Sequence, residues 1–355
     1  MKQFIITNLY NMYNAGEMMQ LTALRNAYPK DNITLLSLYS IIDPQKCKKL
    51  NIQYVGNTKP GSKLKIIINT IALTLKAIAV RTGFISPKGM LKAINDSDVV
   101  IDLGGDTFSD EVSPIYTLVH SLSLLPAIAL GKKYVLLSQS IGEFKTPVTR
   151  LIAKFILNHA TLILSREYYT TQYLIEQLKI PAYRIIELPD IAYTCETLKQ
   201  SKPKTKAIGI LTASLYKKQT GITYDDNIKL LVRIAEYYQY RGYKIILIPH
   251  LNCNIKGVGA AKILNDKYVA QQISDRIPYC KIVEADDIGE ASLIIGSRMH
   301  ACVKALINDI PVVALSYQHK FLTLNGTSKL VNIQEANKDF SKVTEACNEI
   351  LGVEN

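Results

Sequence analysis

The chain alternates short apolar runs with longer segments whose apolar residues recur at helical spacing, and this predicts βαβ units built on parallel sheets. Residues 4–7 form the first predicted strand, followed by a turn at 11–17 and a helix reaching residue 27. Further strands are predicted at 32–38, 98–103, 133–138 and 161–164, with helices over 114–130 and 147–159. Residues 47–59 read as irregular, and 63–81 as a long apolar segment with basic flanks. The pattern then restarts, with strands at 207–212, 243–248, near 282, at 293–295 and at 312–315. Helices are predicted at 226–240, 259–273, 299–307 and 333–351.

One strand end organises the rest. The run 293–295 breaks at Gly296-Ser297, and helical spacing resumes at Met299. Arg298 and His300 therefore stand where a strand ends and a helix begins, the crevice in which open α/β sheets bind ligands. First-turn N–H groups favour an anion there; the guanidinium adds a fixed charge and the imidazole a proton. Ser165-Arg166-Glu167 repeats the strand-Ser-Arg arrangement in the other half. One arginine per domain suits the gripping of an anion between domains. The plain alternative is a surface ion pair, Arg166 having Glu167 beside it.

The remaining candidates also fall at strand ends. Gly104 and Gly105 let a backbone approach a ligand closely, or simply make a tight turn. Glu17, Asp106 and Asp190 are candidate bases, each equally suited to a turn or cap. His250 follows Pro249 at a strand end, and His319 and Lys320 follow another. His120 and His159 lie inside predicted helices and read as structural.

Length and composition narrow the classes. At 355 residues the chain suits two domains of roughly 150–190 residues each. The lysine-rich, Pro203-containing stretch 196–206 is the expected linker. It separates a domain over 1–195 from one over 207–330, with a C-terminal helix in 331–355. Apolar residues at 48% and charged residues at 20% are ordinary for a globular chain and exclude extensive disorder. The net charge of +12 favours phosphate-bearing substrates, nucleic acid or an anionic membrane. No nucleic-acid module is visible, so no nucleic-acid partner is expected. G-x-G-x-x-G and Walker motifs are absent too, which removes the warrant for a dinucleotide or P-loop site. Cys47, Cys195, Cys253, Cys280, Cys302 and Cys347 are scattered and mostly beside apolar residues, as expected of reduced thiols in a cytoplasmic protein. No ligand cluster has metal spacing, so neither a metal nor a cofactor is expected. The apolar stretch 66–80 falls short of the ~20 residues a membrane span needs. It reads as a core-facing helix or, with its basic flanks over 63–92, as a peripheral contact with an anionic bilayer.

Taken in order, Asn14-Ala15-Gly16-Glu17, Asp102 to Asp106, Gln139-Ser140-Ile141-Gly142, Ser165-Arg166-Glu167, Pro189-Asp190, Ile248-Pro249-His250, Gly296 to His300 and Tyr317 to Lys320 resemble the polysaccharide pyruvyl transferase family. The resemblance implies two Rossmann-like α/β domains facing a cleft, the GT-B-like glycosyltransferase architecture. It further implies that phosphoenolpyruvate, as co-substrate, gives its pyruvyl group as a ketal to two hydroxyls of a sugar or lipid-linked glycan, releasing phosphate. Arg166 and Arg298 would hold the donor and His300 would act as general acid. Apart from the resemblance, their places at strand ends and in these motifs make Asp106 and Glu17 catalytic candidates and Gly104, Gly105, Gln139, His250 and Lys320 substrate-binding candidates. Two positions depart from the family pattern: Glu17 replaces its Asp, and Glu143 follows the Gln-Ser-Ile-Gly motif in place of Pro. A nucleotide-sugar glycosyltransferase of the same architecture and a non-catalytic glycan-binding relative are the competing expectations. Oligomeric state is not legible.

Overall fold

Strands apolar along both faces are satisfied only in a parallel sheet covered by helices on each side. The first unit has seven strands, of which the inner ones are of this kind: β1 (Gln3–Thr7), β2 (Asn32–Ser37), β3 (Gln53–Gly56), β4 (Val99–Asp102), β5 (Tyr134–Gln139), β6 (Leu162–Ser165) and β7 (Ile185–Glu187). In the computed structural model they form one sheet of order β3-β2-β1-β4-β5-β6-β7, with every pairing parallel. The structure describes residues 1–59, 61–111, 113–195, 205–215, 217–251, 265–284 and 287–353. It comprises two units, Met1–Met12 with Gln20–Ile191 and Tyr13–Met19 with Ala192–Asn355.

The helices that accompany this sheet in sequence are α1 (Ala15–Ala27), α2 (Pro44–Lys49), α3 (Lys63–Arg81), α4 (Met90–Asp96), α5 (Pro114–Ala129), α6 (Pro147–His159) and α7 (Tyr168–Gln172). Local chemistry sets their ends. Ser62 caps α3 by accepting from the Lys65 amide, and Thr146 caps α6 by accepting from that of Thr149. The stretch 47–59, expected to be irregular, instead holds the end of α2 and strand β3. As an edge strand β3 is largely exposed, so it lacks the apolar run that marks a buried strand.

The second unit repeats the plan with β8 (Ala207–Thr212), β9 (Lys244–Pro249), β10 (Lys281–Ile282), β11 (Leu293–Gly296), β12 (Val312–Ser316) and β13 (Ser328–Asn332), ordered β10-β9-β8-β11-β12-β13. Alternate strand residues fill two separate cores: Ile210, Leu247 and Ile295 on one face, Leu211, Ile248 and Ile294 on the other. Helices α8 (Lys217–Thr220), α9 (Tyr224–Tyr240), α10 (Asp266–Ser274), α11 (Met299–Ile307), α12 (Ile333–Lys338) and α13 (Ser341–Leu351) cover them. The last predicted helix is thus two helices. Asp339 turns extended and its carboxylate accepts from the Ser341 amide. β13 crosses the expected boundary at 330, and α12 and α13 pack on the second unit's own elements, so 331–355 belongs to that unit. Most of the expected linker, the predicted helix start at 259 and Cys253 lie outside the described residues.

In each sheet the chain winds outward in one direction and then returns to the other flank of its first strand. The reversal falls between β1 and β4 in the first unit and between β8 and β11 in the second. Loops at such a reversal diverge and leave a crevice at the carboxyl ends of the strands. The register sets Thr7 beside Asp102, and Gly296 beside Leu211.

Candidate active site

Arg298 occupies the N-cap of α11 with extended backbone angles, so its side chain leaves the helix end instead of capping it. The guanidinium turns onto Asp266 in the first turn of α10, with Nε 2.9 Å from Oδ2 and Nη2 2.5 Å from Oδ1. Asp266 is fully buried and also accepts from the Ser214 amide at 2.9 Å, the Ser214 hydroxyl at 3.1 Å and the Leu251 amide at 2.8 Å. Paired, charge-assisted bonds of this kind fix a guanidinium in its plane. The Arg298 side chain keeps 19% exposure, so the held cation still presents a face to solvent.

His300 lies in the first turn of the same helix, partly exposed. The N-terminal turn is laid against it: a Cβ on Gly16 would stand 2.2 Å from His300 Nδ1. Only glycine permits that approach. The turn is held by an isolated bridge from Asn14 to Leu251. The Asn14 side chain also accepts from the Gly16 amide at 3.0 Å and donates to Glu17 Oε1 at 3.1 Å. Glu17, His300 and Arg298 therefore belong to one unit, although more than 280 residues separate the first from the others in sequence.

His250 ends β9 as a buried imidazole with no hydrogen-bond partner for either ring nitrogen among the described residues. Burial, followed by the charge of His300 and those of Arg298 and Lys304, pushes its pKa down to about 3 against the opposing pull of Asp266. A neutral imidazole beside a cationic cluster can accept a proton or hydrogen bond but adds no charge. Lys304 is buried one helical turn beyond His300. Lys320 follows β12 in a 3₁₀ turn, its ammonium 5.3 Å from the centre of the Tyr317 ring.

The crevice of the first unit collects the other candidates. Beyond β4, the Gly104 carbonyl accepts from the amide of Thr107 at 3.0 Å and its hydroxyl at 2.8 Å. Thr107 Oγ1 also lies 3.0 Å from His120 Nδ1, while His120 Nε2 lies 2.8 Å from Asp102 Oδ2. Gly104 is glycine because of this histidine: a Cβ there would stand 2.2 Å from His120 Cε1. The close approach expected of a ligand at Gly104 is thus already made by a buried side chain. His120, expected to be structural, shapes the turn that carries Gly105 and the half-buried Asp106.

Arg166 is compensated rather than exposed. Its side chain is 1% accessible, with Nη1 2.9 Å from Asp190 Oδ2 and Nε 3.7 Å from Glu167 Oε2. Nε donates to the Ser140 hydroxyl at 2.7 Å, that hydroxyl donates to Glu167 at 2.8 Å, and the Ser140 amide donates to the Gly105 carbonyl at 2.9 Å. Gln20 donates to both oxygens of Asp190. Gln139 donates to the Asp102 carbonyl at 2.8 Å. Arg166 Nη2 and Gln139 Oε1 are buried with no hydrogen-bond partner among the described residues. The two arginines expected to act alike are therefore unequal: Arg298 keeps an open face, and Arg166 is a buried brace whose charge two carboxylates offset. Asp190, expected as a base, is engaged in that brace. Glu143 accepts from the Tyr169 hydroxyl, which pushes the Tyr169 pKa up to about 12.

Sequence reasoning missed Asp266, Ser140, Gln20 and Lys304. Lys304 had a signal, a lone cation in an apolar helix four residues beyond His300. Ser140 lay within a quoted motif. Nothing local marked Asp266, whose partner is 32 residues away.

Residues 14–319 match the family model described as polysaccharide pyruvyl transferase. A curated relative is the amylovoran biosynthesis protein AmsJ of Erwinia amylovora, 23% identical over 269 residues; the match covers 70% of this chain and 63% of that protein. The chain thus spans just under two thirds of that relative's length. Among solved structures, a putative UDP-N-acetylglucosamine 2-epimerase from Listeria monocytogenes matches with TM-score 0.60 and 13% identity, over 99% of this chain and 88% of that one. The UDP-GlcNAc 2-epimerase of Methanocaldococcus jannaschii matches with TM-score 0.58 and 15% identity, over 100% and 94%. A glycosyltransferase from Rickettsia africae matches with TM-score 0.56 and 12% identity, over 99% and 89%. At these identities the likeness is one of fold, two parallel-sheet α/β domains of the GT-B type.

Proposed function

The chain belongs to the polysaccharide pyruvyl transferase family, and on that premise we propose that it moves the pyruvyl group of phosphoenolpyruvate onto two hydroxyls of a sugar in a cell-surface polysaccharide or its lipid-linked precursor. The observation that carries the proposal is Arg298, locked on Asp266 and still open to solvent, beside His300 at the start of α11. A donor with a carboxylate and a phosphate needs a firmly held cation and a helix N-terminus, and both stand at the start of α11.

In this reading His300 protonates the methylene carbon of the enol, which becomes the methyl group. The adjacent carbon turns oxocarbenium-like, and a sugar hydroxyl adds to it while its proton passes to a base. Glu17, on the turn that lies against His300, is our assignment for that base. The carbon–oxygen bond to phosphate then breaks, and the second hydroxyl closes the ketal with loss of its own proton. Imidazole suits acid catalysis near neutral pH. Arg298 offsets the charge of the leaving phosphate. The brace of Arg166, Ser140 and Glu167 ties together the loops beyond β4, β5 and β6 within the first unit. We further propose that the reaction runs at the cytoplasmic face of the membrane. Among the described residues no helix is long and apolar enough to cross one.

The test is incubation of the pure protein with phosphoenolpyruvate and a panel of galactose-, glucose- and N-acetylmannosamine-containing acceptors, following phosphate release and product mass. A product mass matching a ketal supports the proposal; turnover with nucleotide sugars alone overturns it. His300→Ala is expected to keep donor binding and lower turnover by about 10²–10⁴-fold. An active His300→Ala enzyme would show that the acid lies elsewhere.

A further inference from the structure

Helix α3 exposes apolar residues that a solvated helix would not. Leu64 is 67% exposed and Leu75 63%, with Ile68, Ile71 and Ile78 exposed between and beyond them. At 3.6 residues per turn these five fall within a wedge of about 80°. The opposite side, Ile66, Thr70 and Ala77, is the one buried against the fold. Beyond the helix, Phe84 continues the apolar surface at 85% exposure. The helix is therefore amphipathic twice over, with one stripe used in the core and a second turned outward. A contiguous exposed apolar stripe of this kind marks an interaction surface.

Charge identifies the occupant. From Pro44 to Asn95 the chain has ten Lys and Arg and no Asp or Glu, against a net charge of +12 for the whole protein. Lys65 and Lys76 lie on one flank of the outward stripe, Lys63 and Arg81 on the other, all exposed. A second copy of the chain would set cations against cations with no acidic residue here to pair them. An anionic bilayer complements both features, taking the apolar stripe at its interface and the cations at its phosphates.

We infer that α3, with the Phe84 turn that follows it, is a membrane-docking face that lies in the surface of an anionic bilayer. Such contact holds an enzyme where lipid-carried acceptors are found. The inference extends the membrane placement proposed above and does not depend on the reaction.

The experiment is flotation of the full-length protein, without donor or acceptor, on vesicles of phosphatidylcholine alone and of phosphatidylcholine with phosphatidylglycerol. The protein is expected to float with the anionic vesicles only, and less as salt screens its cations. Leu64→Glu/Leu75→Glu, at two exposed positions, should retain the wild-type melting temperature and weaken binding at least about tenfold. Lys65→Glu/Lys76→Glu should also weaken it. No flotation at low salt, or wild-type flotation by the leucine variant, overturns the inference. So does a dimer in sedimentation that the leucine variant dissociates. Vesicle binding is scored without turnover, so its failure and a failure of pyruvyl transfer are separately visible.

Discussion

Gly16 lies against the ring of His300 so closely that a single added carbon would come within 2.2 Å of Nδ1. The smallest side chain cannot be placed there unless the histidine or the turn moves. Gly16→Ala is therefore expected to lower turnover at least about tenfold, since displacing a reacting group by about 1 Å costs that much or more. The melting temperature should fall by only a few degrees, because the turn can give. Unchanged turnover in this variant would separate the Gly16 contact from catalysis.

Arg298 and Asp266 are expected to fail in different ways. Arg298→Ala should abolish donor binding and leave the second unit folded, since Asp266 keeps its bonds from Ser214 and Leu251. Asp266→Ala should cost stability as well, by roughly 2–4 kcal/mol, because it strands the amides of buried Ser214 and half-buried Leu251 together with the guanidinium. Urea unfolding followed alongside donor binding checks both. Equal stability of the two variants would mean that Asp266 is not the anchor its five hydrogen bonds indicate.

His250 is held neutral, its pKa pushed from 6.5 down to about 3 mainly by burial. Above pH 6.5 the unfolded and folded chains both carry it uncharged, and its contribution to stability is complete. Between 6.5 and 3 only the unfolded chain takes up the proton, so stability falls with pH, by at most ~1.4 kcal/mol per unit from this one group. His250→Leu should flatten that part of the acid limb. Acid limbs of identical slope in the two proteins would remove His250 as a contributor.

The brace in the first unit predicts the cost of breaking it. Asp190→Ala leaves Arg166 with Glu167 at 3.7 Å as its remaining carboxylate and strips Gln20 of its acceptor. Loss of one member of a buried pair costs about 3–5 kcal/mol. Denaturation of the variant measures it; a loss below roughly 1 kcal/mol would place Asp190 outside the brace.

The parts that were legible in the sequence share a physical cause. Strands such as β1, β5, β8 and β11 are covered on both faces, which forces unbroken apolar runs, and the polar residues that stop those runs mark the crevice. Arg298 and His300 were visible for that reason. β3 was not, because an edge strand is free to be polar. Neither were the pairings that make Arg166 a brace and Arg298 an open cation. Both arginines follow a strand and a serine, and what distinguishes them is the carboxylate each meets: Asp190, 24 residues on, and Asp266, 32 residues back. Spacing along the chain does not record which side chains meet in space.

The seven residues from Tyr13 to Met19 group with the second unit although they precede every strand of the first except β1. A polypeptide begun at residue 192 would carry the whole second sheet and both Arg298 and His300, yet lack the glycine that lies on the histidine and the asparagine bridged to Leu251. The second unit is thus not a cassette that recombination can lift out at a single crossover. A chimaera joined between the two sheets would inherit His300 from one parent and the turn that lies against it from the other, and those two surfaces would have to change together.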